Sequence, residues 1–355
     1  MRKFLALLLA LLLALALTLS VTAVFAADEL YVSIISKGEQ HAFWQAVRKG
    51  VEDAAKEYGV KHYYYGPPSE QDIQLQVEAL KSELSRGPNA LCLAALDTSS
   101  VMTELQECID KNIPVIGFDS GVPNAPEGAI KATASTNNKN AAGLAAEKLM
   151  EIESLQAKLK EATADKPVVV AVLSQDATSE SVTSRTTGFV EKFGELAAEY
   201  GTVQVQGHTN WATKADKPSI IIHVEIGATP KIDDMTNAAS AVLNKDNLAA
   251  VFCSNEGAVG GLLAATADGS ELADGARFGE VLVAGFDSGA NQKNAVRQGW
   301  FVGSVTQDPY RIGYLAVELA VKAAKGEAVE DVDTGAQWYT KDNIDDPQIS
   351  MLIYD

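Results

Sequence analysis

The chain has 355 residues, of which 47% are hydrophobic and 21% are charged, and its formal net charge at pH 7 is −18. This length exceeds what one compact hydrophobic core usually serves and therefore predicts two domains. A strongly acidic surface repels phosphate backbones, which argues against nucleic acid as a partner.

The N-terminus has the pattern of a secretory signal peptide. Arg2 and Lys3 precede an apolar run over 4–24, and Val24 and Ala26 supply the small residues that a cut after Ala26 requires. The alternative is an uncleaved membrane anchor, because the run approaches the roughly 20 apolar residues that span a bilayer. We expect a signal peptide over 1–26, which is removed when the protein is exported to the periplasm or the cell surface.

The first half of the chain alternates short apolar segments with amphipathic ones. Apolar runs predict strands at 31–36, 60–65, 90–96 and 114–118, and residues at helical spacing predict helices near 40–58, 73–84 and 101–109. Such alternation is typical of βαβ units, in which a parallel sheet is covered by helices on both faces.

The same alternation starts again after a helix predicted near 138–160. Strands are predicted at 167–173, 202–206, 248–254, 281–286 and 301–305, and helices at 179–200, 231–244 and 310–325. The segment 208–229 has the weakest pattern and is predicted to be irregular. The fold class is therefore α/β, with two similar Rossmann-like lobes that each have a parallel central sheet.

One five-residue sequence, Gly-Phe-Asp-Ser-Gly, occurs at 117–121 and again at 285–289, each time where a predicted buried strand ends. One interpretation is that Asp119 and Asp287 begin turns or cap helices. The other is that both bind a ligand, because ligands of open α/β sheets lie beyond the carboxyl ends of the strands. We favour the ligand role for the pair, in a cleft between the lobes.

Two aromatic residues, Phe43 and Trp44, begin the first long helix. Phe43 lies on the same helical face as Val47 and Val51, which is the face that packs on the sheet. Trp44 lies on the side of Arg48 and is expected to point away from that core into the cleft, where an indole ring suits the apolar face of a sugar. The alternative is a half-exposed packing residue.

Three further polar side chains are candidates for function. Arg185, early in a helix, has five fixed donors that can bind vicinal hydroxyls or a carboxylate; otherwise it is a solvated helix residue. Asn255 ends a predicted strand, and its amide can donate and accept. Gln307 follows another strand and precedes Asp308-Pro309, where the chain changes direction.

Other kinds of chemistry lack their motifs. The four histidines do not have zinc-ligand spacing, and the chain has no P-loop, no G-x-G-x-x-G sequence and no Gly-x-Ser-x-Gly elbow. Cys92 and Cys253 lie in apolar runs and are predicted to be buried free cysteines. The alternative is a disulfide between Cys92 and Cys108. Asp119 and Asp287 could instead be the acid pair of a glycoside hydrolase. We expect a binding protein without enzyme activity, cofactor or metal.

Taken together, these residues resemble the ribose-type periplasmic sugar-binding proteins, a group that shares its fold with lac-repressor-type effector domains. The likeness covers nearly all of the predicted mature chain. It rests on the Phe43-Trp44 pair, Gly-Phe-Asp-Ser at 117–120, Arg185 with Gly188-Phe189, Asn255-Glu256-Gly257, Gly-Phe-Asp at 285–287, and Gln307 with Pro309.

The resemblance implies a ligand-binding set and a function. The family's pocket positions fall on Phe43, Trp44, Asp119, Arg185, Asn255, Asp287 and Gln307. The implied function is capture of a small sugar or polyol for an ABC permease, acting as a monomer. The alternative partner is a chemoreceptor or sensor kinase.

The resemblance also implies an N-terminal lobe of 27–135 plus 308–332, a C-terminal lobe of 136–307 plus 333–345, and a tail of 346–355. A three-strand hinge is implied, with crossings near 135–137, 307–309 and 331–334. Ribose binders carry an Arg after the first aspartate, whereas Ser120 follows Asp119 here; a sugar other than ribose is therefore expected. Trp211 is our candidate for an aromatic of the second lobe.

Overall fold

The structure, a computed structural model, describes residues 29–354, so the predicted signal peptide lies outside the described residues. Within that range, no helix combines the length and the apolar character needed to cross a membrane.

The first lobe is built on a six-stranded parallel sheet with the order β12-β5-β4-β3-β1-β2. Its strands are β1 (Tyr31–Ile35), β2 (Lys61–Tyr65), β3 (Ala90–Leu93), β4 (Val115–Phe118), β5 (Ile130–Ser135) and β12 (Val332–Asp333). Its helices are α1 (Ala42–Tyr58), α2 (Ile73–Arg86), α3 (Met102–Asp110) and α10 (Pro309–Ala324), the last of which packs along α1.

The second lobe is built on a seven-stranded sheet with the order β13-β11-β10-β9-β6-β8-β7, parallel except for β13. Its strands are β6 (Val168–Ser174), β7 (Val203–Gly207), β8 (Ile220–Ile226), β9 (Leu248–Cys253), β10 (Leu282–Phe286), β11 (Gly303–Thr306) and β13 (Gln337–Tyr339). Its helices are α4 (Asn138–Met150), α5 (Glu153–Lys160), α6 (Glu180–Ala197), α7 (Ile232–Leu243), α8 (Glu256–Ala265), α9 (Ala290–Arg297) and α11 (Pro347–Ser350), with a 3₁₀ turn at Ser270–Leu272.

The chain passes from one sheet to the other three times, between β5 and α4, between β11 and α10, and between β12 and β13. All three passages lie on one side of the cleft, at the edges where β5 with β12 and β11 with β13 pair. The fold class expected from the sequence is confirmed: two α/β lobes with parallel sheets, joined by a three-stranded connection.

Each lobe contains a helix pair in very close contact. A Cβ on Gly50 of α1 would lie 2.0 Å from the Tyr310 carbonyl oxygen, and one on Gly313 of α10 would lie 2.0 Å from that of Val47. In the second lobe, a Cβ on Gly188 of α6 would lie 2.1 Å from the Lys139 carbonyl oxygen of α4. A hydrogen in place of a side chain is therefore required where these helix backbones meet.

Several sequence predictions of local structure are wrong. The segment 208–229, predicted to be irregular, contains β8, a strand paired on both sides. The predicted helix at 138–160 is two helices that break at Glu151 and Ile152, and β5 was not predicted. All three cysteines are free and buried, so the alternative of a Cys92–Cys108 disulfide is not realised.

Candidate functional site

The two Gly-Phe-Asp-Ser-Gly segments have the same local geometry. Asp119 follows β4 with φ 54°, and Asp287 follows β10 with φ 78°, so both take a left-handed conformation that aspartate tolerates better than most residues. The Asp119 amide donates to Ala134 O, and the Asp287 amide donates to Val305 O, each on the neighbouring strand. Both aspartates are buried at the carboxyl end of their sheet and face the space between the lobes.

Asp287 is the centre of a hydrogen-bonded cluster in the second lobe. Its Oδ1 accepts from Gln307 Nε2 at 2.7 Å, and its Oδ2 accepts from the Glu256 amide at 3.1 Å and lies 3.6 Å from Arg185 Nη1. Arg185 is 3% exposed, donates from Nε to Asn138 Oδ1 at 2.8 Å, and its guanidinium lies 4.0 Å from the centre of the Phe286 ring. Asn255 caps α8, because its Oδ1 accepts from the Ala258 amide. These donors fix the position of the Asp287 carboxylate.

The first lobe contributes a second charged cluster that includes Asp119. Lys37, which follows β1, places Nζ 3.8 Å from Asp119 Oδ2. Glu70, in the loop before α2, accepts from Trp44 Nε1 at 2.7 Å. Burial alone would lower the pKa of Lys37, but the carboxylates of Glu70 and Asp119 raise it above its ordinary value. Lys37 is therefore a cation at neutral pH.

The pKa values of Asp119 and Glu70, the two carboxyls that act on Lys37, are shifted in opposite directions. Burial raises the pKa of Asp119 to about 6, against the opposing effect of Lys37 and Arg185. Burial also acts to raise the pKa of Glu70, but Lys37, His41 and the hydrogen bonds from Trp44 and Gln175 outweigh it and lower that pKa. Glu70 is therefore ionised at neutral pH, whereas the pKa of Asp119 lies only slightly below neutral pH.

The seven residues predicted from the sequence line one cavity between the lobes, called here the inner cavity: Phe43, Trp44, Asp119, Arg185, Asn255, Asp287 and Gln307. The same cavity is lined by five residues that the sequence analysis missed: Lys37, His41, Glu70, Val182 and Glu256. Lys37 and His41 follow the end of β1, and Glu256 follows the end of β9. The rule that pointed to Asp119 and Asp287, a polar residue beyond a strand end, could have found these three and also Glu70, which lies in the loop after β2.

Trp44 packs differently from the prediction. It is 2% exposed, lies edge-on against the rings of Phe43 and Phe118, and belongs to the core of the first lobe as well as to the cavity wall. The expectation that it points away from the core is wrong because its side of α1 is covered too. Arg48 on that side lies over the ring of Tyr64, whose hydroxyl donates to Trp44 O at 3.4 Å.

Trp211 is not brought to the cavity. It packs beside the core of the second lobe, and its Nε1 donates to Thr187 Oγ1 at 2.9 Å. The C-terminal segment supplies an aromatic that was not predicted: the Tyr354 ring lies 6.0 Å from that of Phe43, and its hydroxyl accepts from the Ser288 amide at 3.3 Å. Tyr354 thus touches both lobes next to the inner cavity.

Direct bonds hold the lobes together around the inner cavity. Lys37 Nζ donates to Ser181 Oγ at 3.1 Å, Gln175 Nε2 donates to Glu70 Oε2 at 2.7 Å, and the Ser181 amide donates to Ser120 Oγ at 3.2 Å. The inner cavity has a volume of about 20 Å³, which is room for roughly one water molecule. A larger molecule requires the lobes to separate and must replace these bonds with its own.

Comparison with known proteins gives a consistent family. The family model described as a periplasmic binding protein domain matches residues 32–328. Among curated proteins, the D-allose-binding periplasmic protein of Escherichia coli (strain K12) is 24% identical over 327 residues, covering 91% of this chain and 93% of the relative. The ribose import binding protein of Bacillus subtilis (strain 168) is 22% identical, covering 81% of this chain and 79% of the relative.

Solved structures agree with this assignment. One titled an ABC transporter, LacI family transcriptional regulator from Brachyspira murdochii is 38% identical, with a TM-score of 0.78, and covers 93% of this chain and 100% of that chain. A carbohydrate transporter solute-binding protein from Agrobacterium radiobacter, in complex with D-arabinose, is 26% identical, with a TM-score of 0.74 and 92% and 100% coverage.

Proposed function

The chain belongs to the periplasmic binding protein family, and from this premise we propose that it is an exported solute-binding protein that closes on a small sugar or polyol and delivers it to an ABC importer. The relatives named for D-allose and ribose, and the structure that holds D-arabinose, support a sugar as the ligand. Closure of two hinged lobes is the usual way in which such a fold binds and presents a ligand.

The observation that carries the proposal is the chemistry of the inner cavity. Cationic donors (Lys37 and Arg185) and carboxylate acceptors (Asp119 and Asp287) come from both lobes and converge on one buried space, beside the ring of Trp44. A sugar hydroxyl both donates and accepts, so a ring with several hydroxyls satisfies such a mixed set. The rings of Phe43 and Trp44 are suited to its apolar C–H face.

Export is the second element of the proposal. We propose that the segment 1–26 is a signal peptide and that the exported protein begins at Ala27. Intact mass of the protein recovered from the periplasmic fraction tests this. A mass that includes Met1–Ala26, or recovery with the membrane alone, contradicts it.

Calorimetric titration with pentoses, hexoses and polyols tests the binding function. We expect one of these to bind with a stoichiometry of one per chain and to change the tryptophan fluorescence, because Trp44 lies in the cavity wall. The Trp44→Phe variant should lose most of that fluorescence change and bind modestly more weakly.

Trp211→Phe is the matched control, since it removes an indole that lies outside the cavity, and it should retain the wild-type signal and affinity. Absence of binding by every pentose, hexose and polyol would count against the proposed ligand class. An unchanged signal in Trp44→Phe would mean that the ligand does not occupy the inner cavity.

A further inference from the structure

A second and much larger cavity adjoins the inner one. This outer cavity has a volume of about 550 Å³, against about 20 Å³ for the inner cavity. Its first-lobe wall is the loop at 40–42 with Ser69, and its second-lobe wall is formed by the N-terminal parts of α7, α8 and α9. A volume of roughly 300–1,000 Å³ is typical of small-molecule sites, so the outer cavity by itself is large enough to hold a ligand.

The two cavities share a boundary. His41 and Glu256 line both of them. Across this boundary the lobes are joined by a long hydrogen bond, from the Ala42 amide to Glu256 Oε1 at 3.4 Å. This bond is longer than those around the inner cavity.

Two residues that line the outer cavity carry a buried acceptor without a hydrogen-bond partner among the described residues. Gln292 is 1% exposed, and its Oε1 has no hydrogen-bond partner within residues 29–354. The same is true of Glu256 Oε2 in the part of the chain that the structure describes. Leaving a buried acceptor without a donor costs about 1–3 kcal/mol, so both groups favour a molecule that brings hydroxyl donors once their side chains turn toward the cavity.

The rest of the outer cavity combines apolar and polar surface. Pro230, Val259 and Leu263 line it, together with Ile232, whose side chain is 54% exposed and is one of the few large apolar residues at the surface. Gln40 and Asn291 supply amide groups. Apolar patches beside amides and carboxylates match a sugar ring, which has C–H faces and hydroxyl edges.

We propose that the ligand is a disaccharide, with one ring in the inner cavity and the second ring in the outer cavity against Ile232, Glu256 and Gln292. This inference rests on the proposed sugar-binding function and extends it to the number of rings. The linkage passes the boundary at His41 and Glu256. A protein with this arrangement distinguishes sugars by the number of their rings as well as by the configuration of the first ring.

Gly260 offers a way to fill the outer cavity while leaving the inner one unchanged. It lies on α8 and lines the outer cavity, and a Cβ there would meet a single neighbouring atom, Ile232 Cδ1 at 3.5 Å. The side chain of a Gly260→Phe variant therefore occupies the space proposed for the second ring. Ala264→Phe is the matched control, because it places the same ring on an exposed position of the same helix outside the cavity.

The experiment is calorimetric titration of the wild type and both variants with D-glucose, D-galactose, D-allose and D-arabinose, and with maltose, cellobiose, lactose, melibiose and trehalose. We expect at least one disaccharide to bind ten times or more tightly than its component monosaccharides. Gly260→Phe should remove that gain and leave the monosaccharide Kd within about twofold, and Ala264→Phe should retain it.

Tight binding of a monosaccharide with weaker binding of every disaccharide overturns this inference and leaves the proposed function standing. The inference is also overturned if Gly260→Phe weakens monosaccharide and disaccharide binding equally, because that loss does not depend on a second ring. The same holds if Ala264→Phe weakens disaccharide binding as much as Gly260→Phe does. Failure of these nine sugars and of every other pentose, hexose and polyol titrated to bind overturns the proposed function and this inference together.

Discussion

Asp119 and Asp287 lie in identical five-residue segments, each after a buried strand, each at positive φ and each almost fully buried, with 2% and 4% exposure. Their surroundings nevertheless differ. Asp287 accepts hydrogen bonds from Gln307 and the Glu256 amide and is paired with Arg185. Asp119 Oδ2 is 3.8 Å from Lys37 Nζ, which is beyond hydrogen-bond distance, and burial raises its pKa to about 6.

This difference assigns different tasks to the two copies. Asp287 holds Arg185 and Gln307 in place, so its carboxylate is part of the framework of the second lobe as well as a candidate ligand contact. The Asp119 carboxylate contacts fewer side chains, and it is costly to bury without further hydrogen-bond partners. A ligand that donates to Asp119 therefore gains more there than it does at Asp287. The four predictions below test this distinction, in order of decreasing effect.

The largest effect is expected from Asp287→Ala on the ligand-free protein. Removing one partner of a buried ion pair typically costs about 3–5 kcal/mol, because the remaining charge stays buried, and Arg185 is 3% exposed. Urea unfolding measures this cost. Asp268→Ala is the control, since Asp268 also has positive φ (54°) but lies at the surface. A loss no greater than that of Asp268→Ala would mean that Asp287 does not hold the framework.

The pH dependence of stability should identify the buried acid in the first lobe. A carboxyl whose pKa rises from 3.8 to about 6 on folding binds its proton more tightly when folded. Its contribution to stability is therefore fully present below pH 3.8 and is lost as the pH rises through about 6. The Asp119→Asn variant lacks this loss, so its stability relative to the wild type should increase between pH 4 and 6 and then level off. A shift of this size corresponds to about 3 kcal/mol.

Urea unfolding at pH 4, 5, 6 and 7 measures that difference for Asp119→Asn against the wild type. A constant difference across the range would show that Asp119 does not titrate there.

Replacing Asp119 should affect ligand affinity more than stability, unlike replacement of Asp287. Asp119→Ala should weaken binding of the sugar by about ten- to a hundredfold, since a hydrogen bond to a charged group contributes about 1.5–3 kcal/mol. Its unfolding free energy should change much less than that of Asp287→Ala, because the charge of Glu70 still acts on Lys37. Calorimetry and urea unfolding on the same samples give both values. Equal destabilisation by the two alanines would remove the distinction.

The smallest effect is expected on the rate of ligand dissociation, from the hydrogen bond that Tyr354 makes to the serine after the second aspartate. Ser120 Oγ accepts from the opposite lobe, whereas the Ser288 amide donates to the Tyr354 hydroxyl. Tyr354→Phe keeps the ring beside Phe43 and removes the hydroxyl, so ligand dissociation should accelerate about two- to tenfold, as expected for one neutral hydrogen bond. Stopped-flow displacement measures the rate, with Tyr310→Phe as a control, because its hydroxyl donates to Asp53, which does not line the cavity. An unchanged rate would exclude Tyr354 from closure.

Local sequence was sufficient to predict the α/β class and most strands, and together with the family resemblance it pointed to seven of the twelve residues that line the inner cavity. The spacing of apolar residues reflects which side chains a strand or a helix must bury. The carboxyl ends of parallel strands lie at one edge of the sheet, whatever the order of their connections. The repeated Gly-Phe-Asp-Ser-Gly therefore pointed to the cleft before any contact was known. The strand β8 was missed, although its run Ile220-Ile221-Ile222 is apolar, because the loop before it obscured the alternation.

Tertiary structure alone decided the partners of these residues. The charge state of Asp119 depends on Lys37 and Arg185, which come from different lobes, and the burial of Trp44 depends on Tyr64 and Glu70, which come from other elements of the first lobe. Such contacts join residues far apart in the chain, and no local pattern specifies which of several polar residues will meet. Identical pentapeptides could thus be placed correctly from sequence, but their different electrostatics follow from neighbours that only folding brings together.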